Sequence, residues 1–336
     1  MRVQFVNNIL TGECIGRVPL GILSLSSALK RAGHEVALAD GSDWKKLFRK
    51  IRSFSPDVLA FSVRTGYHRT YTRINQEVKR AFPGLFSIFG GNHPTFFPQL
   101  IYKDPLLDAV CIGEGEEAMV DLVGRLQNGT DAHLTPNFWV RQKGNIYRNP
   151  PRRLIDPLDK IPFPDRTLLQ EWPYVRDFPV RNFITSRGCP FSCSYCFNHA
   201  YFNTIYKGLG KRLRIRSAKN VIQEMEEEHR RHPYQAAQFE DDVFAFSEAW
   251  LAEFADLYPR RVGVPFTCNV RAEMIDERRA ELLKKAGCAS VWMGVEAGDE
   301  DVRERMLNRK TKDLTLFRAV GALHSVGVHV ATENIL

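Results

Sequence analysis

Short strand-like runs alternate with amphipathic helical runs along most of the chain, and this alternation limits the fold more than any other feature. Such alternation is typical of parallel sheets with helices on both faces. We therefore predict an α/β fold whose N-terminal part is a doubly wound, Rossmann- or flavodoxin-like parallel sheet. Its predicted strands are Arg2–Asn7, Glu35–Asp40, Asp57–Val63, Phe86–Gly91 and Ala109–Gly113, and its predicted helices are Leu20–Ala32, Trp44–Phe54, Tyr71–Phe82 and Glu116–Leu126.

A proline-rich stretch interrupts the alternation between residue 131 and about residue 180. Proline fixes φ and removes a backbone donor, so we predict an extended linker there. The domains would be 1–130, the linker 131–180, and 181–336. The clustered prolines are Pro150, Pro151, Pro157, Pro162, Pro164, Pro173 and Pro179.

A second β/α series follows the linker and ends directly after an apparent strand. A complete barrel-like domain should continue beyond that point, so we expect the sequence to be a C-terminally truncated fragment. The predicted strands are Asn182–Ser186, Ala237–Glu240, Phe266–Asn269, Ser290–Gly294 and Val328–Glu333, and the predicted helices are Ala218–His229, Glu248–Leu257, Glu277–Ala286 and Leu314–His324.

Composition narrows the class of protein. The 336 residues, 44% of them hydrophobic, can bury the cores of two domains. No apolar run approaches the roughly 20 residues that cross a bilayer, and the N-terminus lacks the features of a signal peptide. We therefore predict a cytoplasmic protein without membrane insertion. The net charge is +8, but acidic runs interrupt the basic ones, so we do not predict nucleic acid as a partner.

Three of the seven cysteines lie within eight residues, directly after the first strand of the second series. In a cytosolic chain this clustering favours metal binding over disulfides. Cys189, Cys193 and Cys196 are spaced by four and three residues on one loop that is able to wrap a metal centre. Three ligands leave a coordination position open, and an open position is typical of metal sites that perform chemistry.

Zinc is the main alternative for this cluster. His199 follows Cys196 by three residues and would complete a Cys₃His tetrahedron. Zinc ligands more often come as two separated pairs, but spacing alone leaves both metals open. Under the zinc reading the chain would be a non-catalytic binding protein.

The pattern Cys189-x-x-x-Cys193-x-Tyr195-Cys196 after a first barrel strand resembles that of the radical S-adenosylmethionine (SAM) superfamily. The resemblance implies a partial (β/α)6 TIM-like barrel. It also implies a 4Fe-4S cluster held by the three cysteines, with SAM on the fourth iron and Tyr195 near the adenine. An electron donor such as flavodoxin or ferredoxin would reduce the cluster.

Three later stretches match the superfamily's strand ends. Glu240 and Asp241 stand where the family often has a glycine-glycine-glutamate that meets the methionyl amine, although here they alternatively end a strand and cap a helix. Arg271 suits a carboxylate of the cofactor or substrate, or a surface salt bridge. Glu296, in Gly294-Val295-Glu296-Ala297-Gly298, resembles the family glutamate that faces the ribose or methionyl end of SAM.

The N-terminal part resembles the cobalamin-binding domain that precedes the barrel in one large subgroup. Its landmarks run from Val18-Pro19-Leu20-Gly21 to Ile161-Pro162-Phe163-Pro164 in the subgroup's order. Glycines at strand ends let the backbone approach a large ligand, and nearby hydroxyls are suited to bind its nucleotide tail. The candidate cobalamin residues are Ser62, Thr65, Gly90, Gly91, Gly113 and Gly115.

A cobalt-ligating histidine motif is missing after the first strand. The residues Asn8 to Gly16 contain no histidine, so the resemblance implies that the lower axial ligand, if any, comes from elsewhere. His68 and His93 are the candidates near the ligand, although a loop histidine is more often part of the surface.

The combined resemblance implies a cobalamin-dependent radical SAM enzyme. We expect methyl transfer to an unactivated carbon of a small-molecule substrate. Radical cyclisation or rearrangement, which other members of the subgroup perform, is the alternative within the same class.

Overall fold

The computed structural model describes residues 1–8 and 18–335 and separates into two compact units. Unit 1 comprises Met1–Leu154 and Ile161–Arg176, and unit 2 comprises Ile155–Lys160 and Asp177–Leu336. The residues predicted as a linker are thus divided between the units, and the boundaries differ from those predicted at 130 and 180.

Unit 1 contains a seven-stranded sheet in the order β2-β1-β3-β4-β5-β6-β7. The first five strands pair in parallel in the flavodoxin-like order 2-1-3-4-5. This confirms the predicted doubly wound fold. The elements are β1 (Arg2–Asn7), α1 (Leu20–Arg31), β2 (Glu35–Asp40), α2 (Trp44–Phe54), β3 (Val58–Ser62), α3 (His68–Ala81), β4 (Phe86–Gly90), α4 (Asn92–Phe96), α5 (Leu100–Lys103), β5 (Ala109–Cys111), α6 (Glu116–Asn128), β6 (Phe138–Gln142), β7 (Asn145–Arg148) and α7 (Pro173–Arg176).

Helices cover both faces of this sheet because the central strands are apolar on both sides. Leu23 of α1 and Leu122 of α6 are fully buried in one core, with Val3 of β1. Leu47 of α2 and Val78 of α3 are buried in the core on the opposite face. Near-continuous apolar strands of this kind are characteristic of buried parallel sheets.

Residues 138–148 form an antiparallel hairpin within the stretch that we predicted as an extended linker. Strand β6 pairs with β5, and β7 pairs with β6. The two-residue turn consists of Lys143 and Gly144, both with positive φ, as the tight hairpin turns that match strand twist require. The linker prediction was wrong here because the surrounding prolines outweighed this local signal.

Unit 2 contains a five-stranded parallel sheet whose spatial order follows the chain, as in a βα barrel. This confirms the predicted partial barrel, although its first strand begins two residues earlier than expected. The elements are β8 (Val180–Phe183), β9 (Ser186–Arg187), α8 (Phe197–Ala200), β10 (Arg214–Ile215), α9 (Ala218–Arg231), β11 (Ala236–Phe239), α10 (Glu248–Arg261), β12 (Phe266–Val270), α11 (Glu277–Ala286), β13 (Cys288–Glu296), α12 (Asp313–Ser325) and β14 (His329–Asn334). Strands β9 and β10 form a separate small ribbon.

Aromatic side chains fill the core between this sheet and its helices. The ring of Phe239 on β11 lies 5.2 Å from that of Phe266 on β12 and 5.8 Å from that of Phe254 on α10. All three side chains are almost fully buried. Edge-to-face pairs of this kind add to the stabilisation from burial itself.

Side-chain caps fix where the helices of unit 2 begin. Ser217, Ser247 and Asp276 each accept a hydrogen bond from the backbone N–H three residues later. Each cap contributes about 1 kcal/mol to helix stability. The cap positions also set the lengths of the loops that leave the strands.

None of the helices in the described ranges 1–8 and 18–335 is long and apolar enough to cross a membrane.

Replacing Phe239 by Ala should remove the centre of the aromatic core. We expect a loss of about 3–5 kcal/mol in the free energy of unfolding of unit 2, because the cavity would be lined by rings that cannot collapse into it. Hydrogen exchange of unit 2 peptides, followed by mass spectrometry, measures this locally. Phe317→Ala is the control, since that side chain is 75% exposed. Equal protection of the unit 2 amides in the two variants would contradict the prediction that Phe239 stabilises this core.

Candidate functional site

The carboxyl ends of the unit 2 strands carry most of the residues predicted to take part in chemistry. Because the strands are parallel, these ends lie at one edge of the sheet. The cysteine loop follows β8, Asp241 follows β11, Arg271 follows β12, and Glu296 ends β13. Ligands of parallel α/β sheets bind at this edge.

A buried carboxylate holds the entrance to the cysteine loop. Asp241, 1% exposed, accepts hydrogen bonds from the Thr185 backbone N–H at 3.1 Å and from the hydroxyls of Thr185 and Ser186 at 2.8 and 2.5 Å. Burial raises its pKa to about 6, although these hydrogen bonds act in the opposite direction. In this structure Asp241 therefore positions the loop, and its predicted contact with SAM stays a prediction.

Gly188 shapes the turn immediately before Cys189. Its φ is +86°, and a Cβ there would lie 1.9 Å from the carbonyl oxygen of Arg212. Only glycine accommodates both the backbone conformation and this close approach. The loop therefore packs directly against the irregular segment that precedes β10.

The three cysteines have free thiols on this loop, and Cys193 is the most buried of them. Burial raises the pKa of Cys189 to about 11 and also raises the pKa of Cys196. Iron binds thiolates, so metal loading would release protons here. Three soft sulfur donors on a single loop fit an iron–sulfur cluster that keeps one iron for another ligand.

Arg271 contacts the sulfur of Cys193. Its Nη1 donates to Cys193 Sγ at 3.0 Å, and its Nη2 lies 2.5 Å from Glu273. Thr311 also donates to Glu273 at 2.5 Å. Burial alone would raise the Glu273 pKa, but these two partners lower it to about 2. Thus Arg271 is bound to the cysteine loop and to Glu273, and the described structure shows no surface salt bridge for it.

Tyr195, Glu296 and Arg309 form a second polar group beside the loop. The Tyr195 hydroxyl donates to Glu296 Oε1 at 2.7 Å, and Arg309 Nη1 lies 3.6 Å from the same oxygen. Glu296 has a φ of +71°, an unusual conformation for a residue with a side chain. Within residues 18–335 the buried Nε of Arg309 has no hydrogen-bond partner. A carboxylate, a phenol and an incompletely bonded guanidinium fit a ligand as polar as SAM.

Gly294 makes room for this group. A Cβ at residue 294 would lie 2.4 Å from Glu296 Oε1 and 3.3 Å from Arg309 Nη2. The predicted Gly-x-Glu motif thus has a steric basis. Sequence reasoning missed Arg309 and Thr311, since neither lies at a strand end.

Residues of the same later segment also hold the cysteine loop by hydrogen bonds with its backbone. Ser194 N–H donates to the Leu307 carbonyl at 3.0 Å, and Asn308 Nδ2 donates to the Ser192 carbonyl at 2.7 Å. Arg303, 1% exposed, organises this segment by donating to the carbonyls of Ala297 and Thr311.

Glu240 lies at the exposed end of β11 and accepts a hydrogen bond from Asn182 at 2.5 Å. Its side chain is therefore available at the same edge as the cysteine loop. Its contact with SAM stays a prediction.

The single-ion zinc site has little support in the structure. Among the described residues no three His, Cys, Asp or Glu side chains are gathered around one point, and both ring nitrogens of His199 lie 3.1 Å from Asn203 Nδ2. A cluster differs from one zinc ion in this respect, because each cysteine binds a different iron. The three sulfurs therefore need to surround the cluster but need not meet at a single metal ion.

Glycines and hydroxyls line the corresponding edge of the unit 1 sheet. Gly91 has a φ of +95°, and a Cβ there would lie 3.0 Å from the Val63 carbonyl and 3.3 Å from Ser62 Oγ. Thr95 Oγ1 donates to the Gly91 carbonyl at 2.8 Å and accepts from Gly113 N–H at 3.0 Å. Gly90 and Gly115 lie at the ends of the same loops.

Two histidines stack at this edge. The rings of His68 and His93 lie 4.2 Å apart at an angle of 14°, and His93 Nδ1 lies 3.2 Å from Thr65 Oγ1. Burial, followed by the neighbouring His68, lowers the pKa of His93. In the described chain the buried Nδ1 of His68 has no hydrogen-bond partner. Glycine backbone without side chains, hydroxyl groups and an imidazole nitrogen without a hydrogen bond fit a large polar ligand such as cobalamin.

Residues 9–17 lie outside the described residues. They include all but the first residue of the segment from Asn8 to Gly16, in which the cobalt-ligating histidine motif is missing. The backbone N–H of Asn8 donates to the Tyr71 hydroxyl at 3.1 Å.

Comparison with known proteins assigns a family to each of the two parts of the chain. Residues 17–123 match the B12 binding domain and residues 183–336 match the Radical SAM superfamily. An uncharacterized methyltransferase of Pyrococcus horikoshii is 30% identical over 95% of this chain and 69% of its own length. The chain belongs to the radical SAM superfamily, with a B12-binding domain. The predicted 4Fe-4S cluster, SAM and cobalamin are the cofactors of such proteins.

Two further proteins extend the comparison. The anaerobic magnesium-protoporphyrin IX monomethyl ester cyclase of Rubrivivax gelatinosus is 28% identical over the whole chain and 62% of its own length. The radical SAM methyltransferase TsrM of Kitasatospora setae superposes with a TM-score of 0.80 at 19% identity, over 99% of this chain and 67% of that structure. The TsrM match shows that the fold is shared. The chain thus spans about two thirds of the length of these relatives.

Gly188→Ala should disturb the cysteine loop without removing a sulfur. We expect a lower content of iron and sulfide per chain after anaerobic reconstitution, because the added Cβ overlaps the Arg212 carbonyl. Gly208→Ala is a matched control with a positive φ and no heavy atom within 4 Å. Equal loading of the two variants would show that the close approach at Gly188 is unimportant.

Asp241 should make unit 2 less stable as the pH rises. Its folded pKa of about 6 lies above the ordinary value of 3.8. Its favourable contribution to the free energy of unfolding is therefore complete below pH 3.8 and is lost as the pH rises through 6. The two-unit difference corresponds to about 3 kcal/mol. Urea unfolding at several pH values should show a smaller decline for Asp241→Asn than for Asp301→Asn, whose carboxylate is 73% exposed. Identical slopes would exclude this contribution.

Proposed function

We propose that this chain is a cobalamin-dependent radical SAM enzyme that transfers a methyl group to an unactivated carbon of a small molecule. The observation that carries the proposal is the loop of three free thiols at the carboxyl edge of a βα sheet. A B12-binding domain precedes that sheet in the same chain.

When bound, the cofactors would supply the reactive chemistry, namely an electron from the reduced cluster for the SAM sulfonium and a methyl group from cobalamin. Cys189, Cys193 and Cys196 would hold the cluster through their sulfurs. Asp241 and Gly188 would keep the loop in place through the hydrogen bonds and close packing described above.

Glu296 and Tyr195 would orient SAM. The carboxylate of Glu296 is suited to accept from the amine or a ribose hydroxyl, while Arg309 at 3.6 Å helps to hold it in place. Glu240 would add a second acceptor at the end of β11. Charged acceptors around the methionyl end would fix the direction of the sulfonium.

The glycine-rich edge of unit 1 would hold cobalamin. Gly90, Gly91, Gly113 and Gly115 would allow the ligand to lie against the backbone. Ser62 and Thr65 would donate hydrogen bonds to its nucleotide tail. His68 and His93 remain our candidates near cobalt.

Radical cyclisation is the second candidate. The relative in Rubrivivax gelatinosus is named a cyclase, and it matches this chain over its whole length. The same cysteine loop and SAM residues would serve that reaction, so product analysis must separate the two.

The proposed reaction needs a single-electron donor, and we infer a flavodoxin or ferredoxin. We infer the cytoplasm as the location, since reducing conditions keep thiols such as the six free cysteines of the described chain available.

Anaerobic incubation of the reconstituted chain with cobalamin, SAM and a strong reductant tests the proposal. We expect 5′-deoxyadenosine from reductive cleavage. S-adenosylhomocysteine should accompany it if SAM also replenishes the methyl group on cobalamin, whereas cyclisation would yield 5′-deoxyadenosine alone. Protein that contains the cluster but does not consume SAM would contradict the proposed function.

Cys193→Ala is the decisive variant, with Cys288→Ala as a control because both thiols are buried. We expect iron, sulfide and SAM cleavage to fall to background in the first variant and to be retained in the second. A Cys193→Ala protein that keeps the full iron and sulfide content would disprove the role of the cysteine loop.

A further inference from the structure

We propose that Arg271 raises the reduction potential of the cluster by donating a hydrogen bond to the sulfur of Cys193. The inference rests on the proposed function, since it requires the cysteine loop to hold an iron–sulfur cluster. It assigns Arg271 a positioning and tuning role in place of the cofactor-carboxylate contact predicted from the sequence.

The hydrogen bond is direct and buried. Arg271 follows the last residue of β12 and is 6% exposed. Its Nη1 lies 3.0 Å from Cys193 Sγ. Since Cys193 is also 6% exposed, water competes little for either group, and the interaction is stronger than it would be at the surface.

Two more of the five N–H donors of Arg271 are bound by Glu273. Its Nε lies 3.2 Å from Glu273 Oε2, and its Nη2 lies 2.5 Å from Glu273 Oε1. Such a two-point pair fixes the plane of the guanidinium. A carboxylate from SAM or substrate would have to share the guanidinium with Glu273, which is itself held by Thr311.

An aromatic ring covers one face of the guanidinium. The Arg271 Cζ atom lies 3.8 Å from the centre of the Phe191 ring, which belongs to the cysteine loop itself. A cation over an aromatic face is attracted to it. Arg271 therefore contacts the cysteine loop at two points, the Phe191 ring and the Cys193 sulfur. These two contacts keep its positive charge beside the loop.

Charge at a ligand sulfur affects reduction directly. Reduction adds one negative charge to the cluster and its thiolates, and hydrogen bonds to the sulfurs are one of the factors that set the potential. The N–H donated by Arg271 stabilises the added charge. Removing this donor should make the cluster harder to reduce.

Redox titration of the reconstituted full chain, followed by the EPR signal of the reduced cluster and performed without SAM, tests the inference. For Arg271→Gln we expect the equilibrium constant of reduction to fall at least tenfold, which is about 59 mV for one electron. Arg271→Lys keeps the charge but not the fork, so its shift should be smaller. Arg271→Lys also supplies the measurement if Arg271→Gln does not fold.

Arg181→Gln is the matched control. Arg181 on β8 is also buried and pairs with a carboxylate, Glu228, at 3.0 Å. This pair belongs to the packing of β8 against α9, and neither residue belongs to the cysteine loop. A destabilised but normally loaded Arg181→Gln protein should keep the wild-type potential.

Three results would overturn the inference. An unchanged potential in both Arg271 variants, with full iron content, would exclude tuning through Cys193. A weaker affinity for SAM at an unchanged potential would instead make Arg271 the carboxylate ligand predicted from the sequence. A wild-type chain that binds no cluster would contradict the proposed function and, with it, the inference.

Discussion

Parallel pairing of neighbouring strands decides which distant parts of the chain meet. In unit 2 each strand ends at the same edge, so residues separated by more than 100 positions, such as Tyr195 and Glu296, can form a hydrogen bond. The register is set by buried side chains, including the opposed Phe183 and Phe239. A shift by one residue would turn these rings away from the core and separate the polar group at the edge.

The outlines of both units could be predicted from the sequence because periodicity reports which residues are buried. The parallel strands, the long helices and the position of the cysteine loop follow from apolar spacing. The hairpin of β6 and β7 could have been found as well, since Lys143-Gly144 lies between two runs rich in aromatic and β-branched residues. The boundary between the units could not, because the short segment Ile155–Lys160 belongs to unit 2 only through tertiary packing.

The partners of polar side chains were much harder to predict. Asp241 matches a family position for SAM, and the hydrogen bonds that its carboxylate accepts from Thr185 and Ser186 were not predicted. Arg271 was expected to bind a carboxylate of the cofactor or substrate, or to form a surface salt bridge, and its two hydrogen bonds to Glu273, two residues later, were not predicted. A charged side chain pairs with whichever oppositely charged group the fold brings within about 3 Å. Spacing along the sequence does not reveal which groups come that close.

The contacts of Ser192 and Ser194 with residues 306–308 also bear on biosynthesis. They join positions that are 112 and 116 residues apart, so the ribosome must deliver the chain beyond Asn308 before the thiols reach their final arrangement. The cysteine loop therefore reaches its final arrangement only late in synthesis. A chain that stalled before that point would lack these contacts, and its loop would not be held in the arrangement that the complete unit gives it.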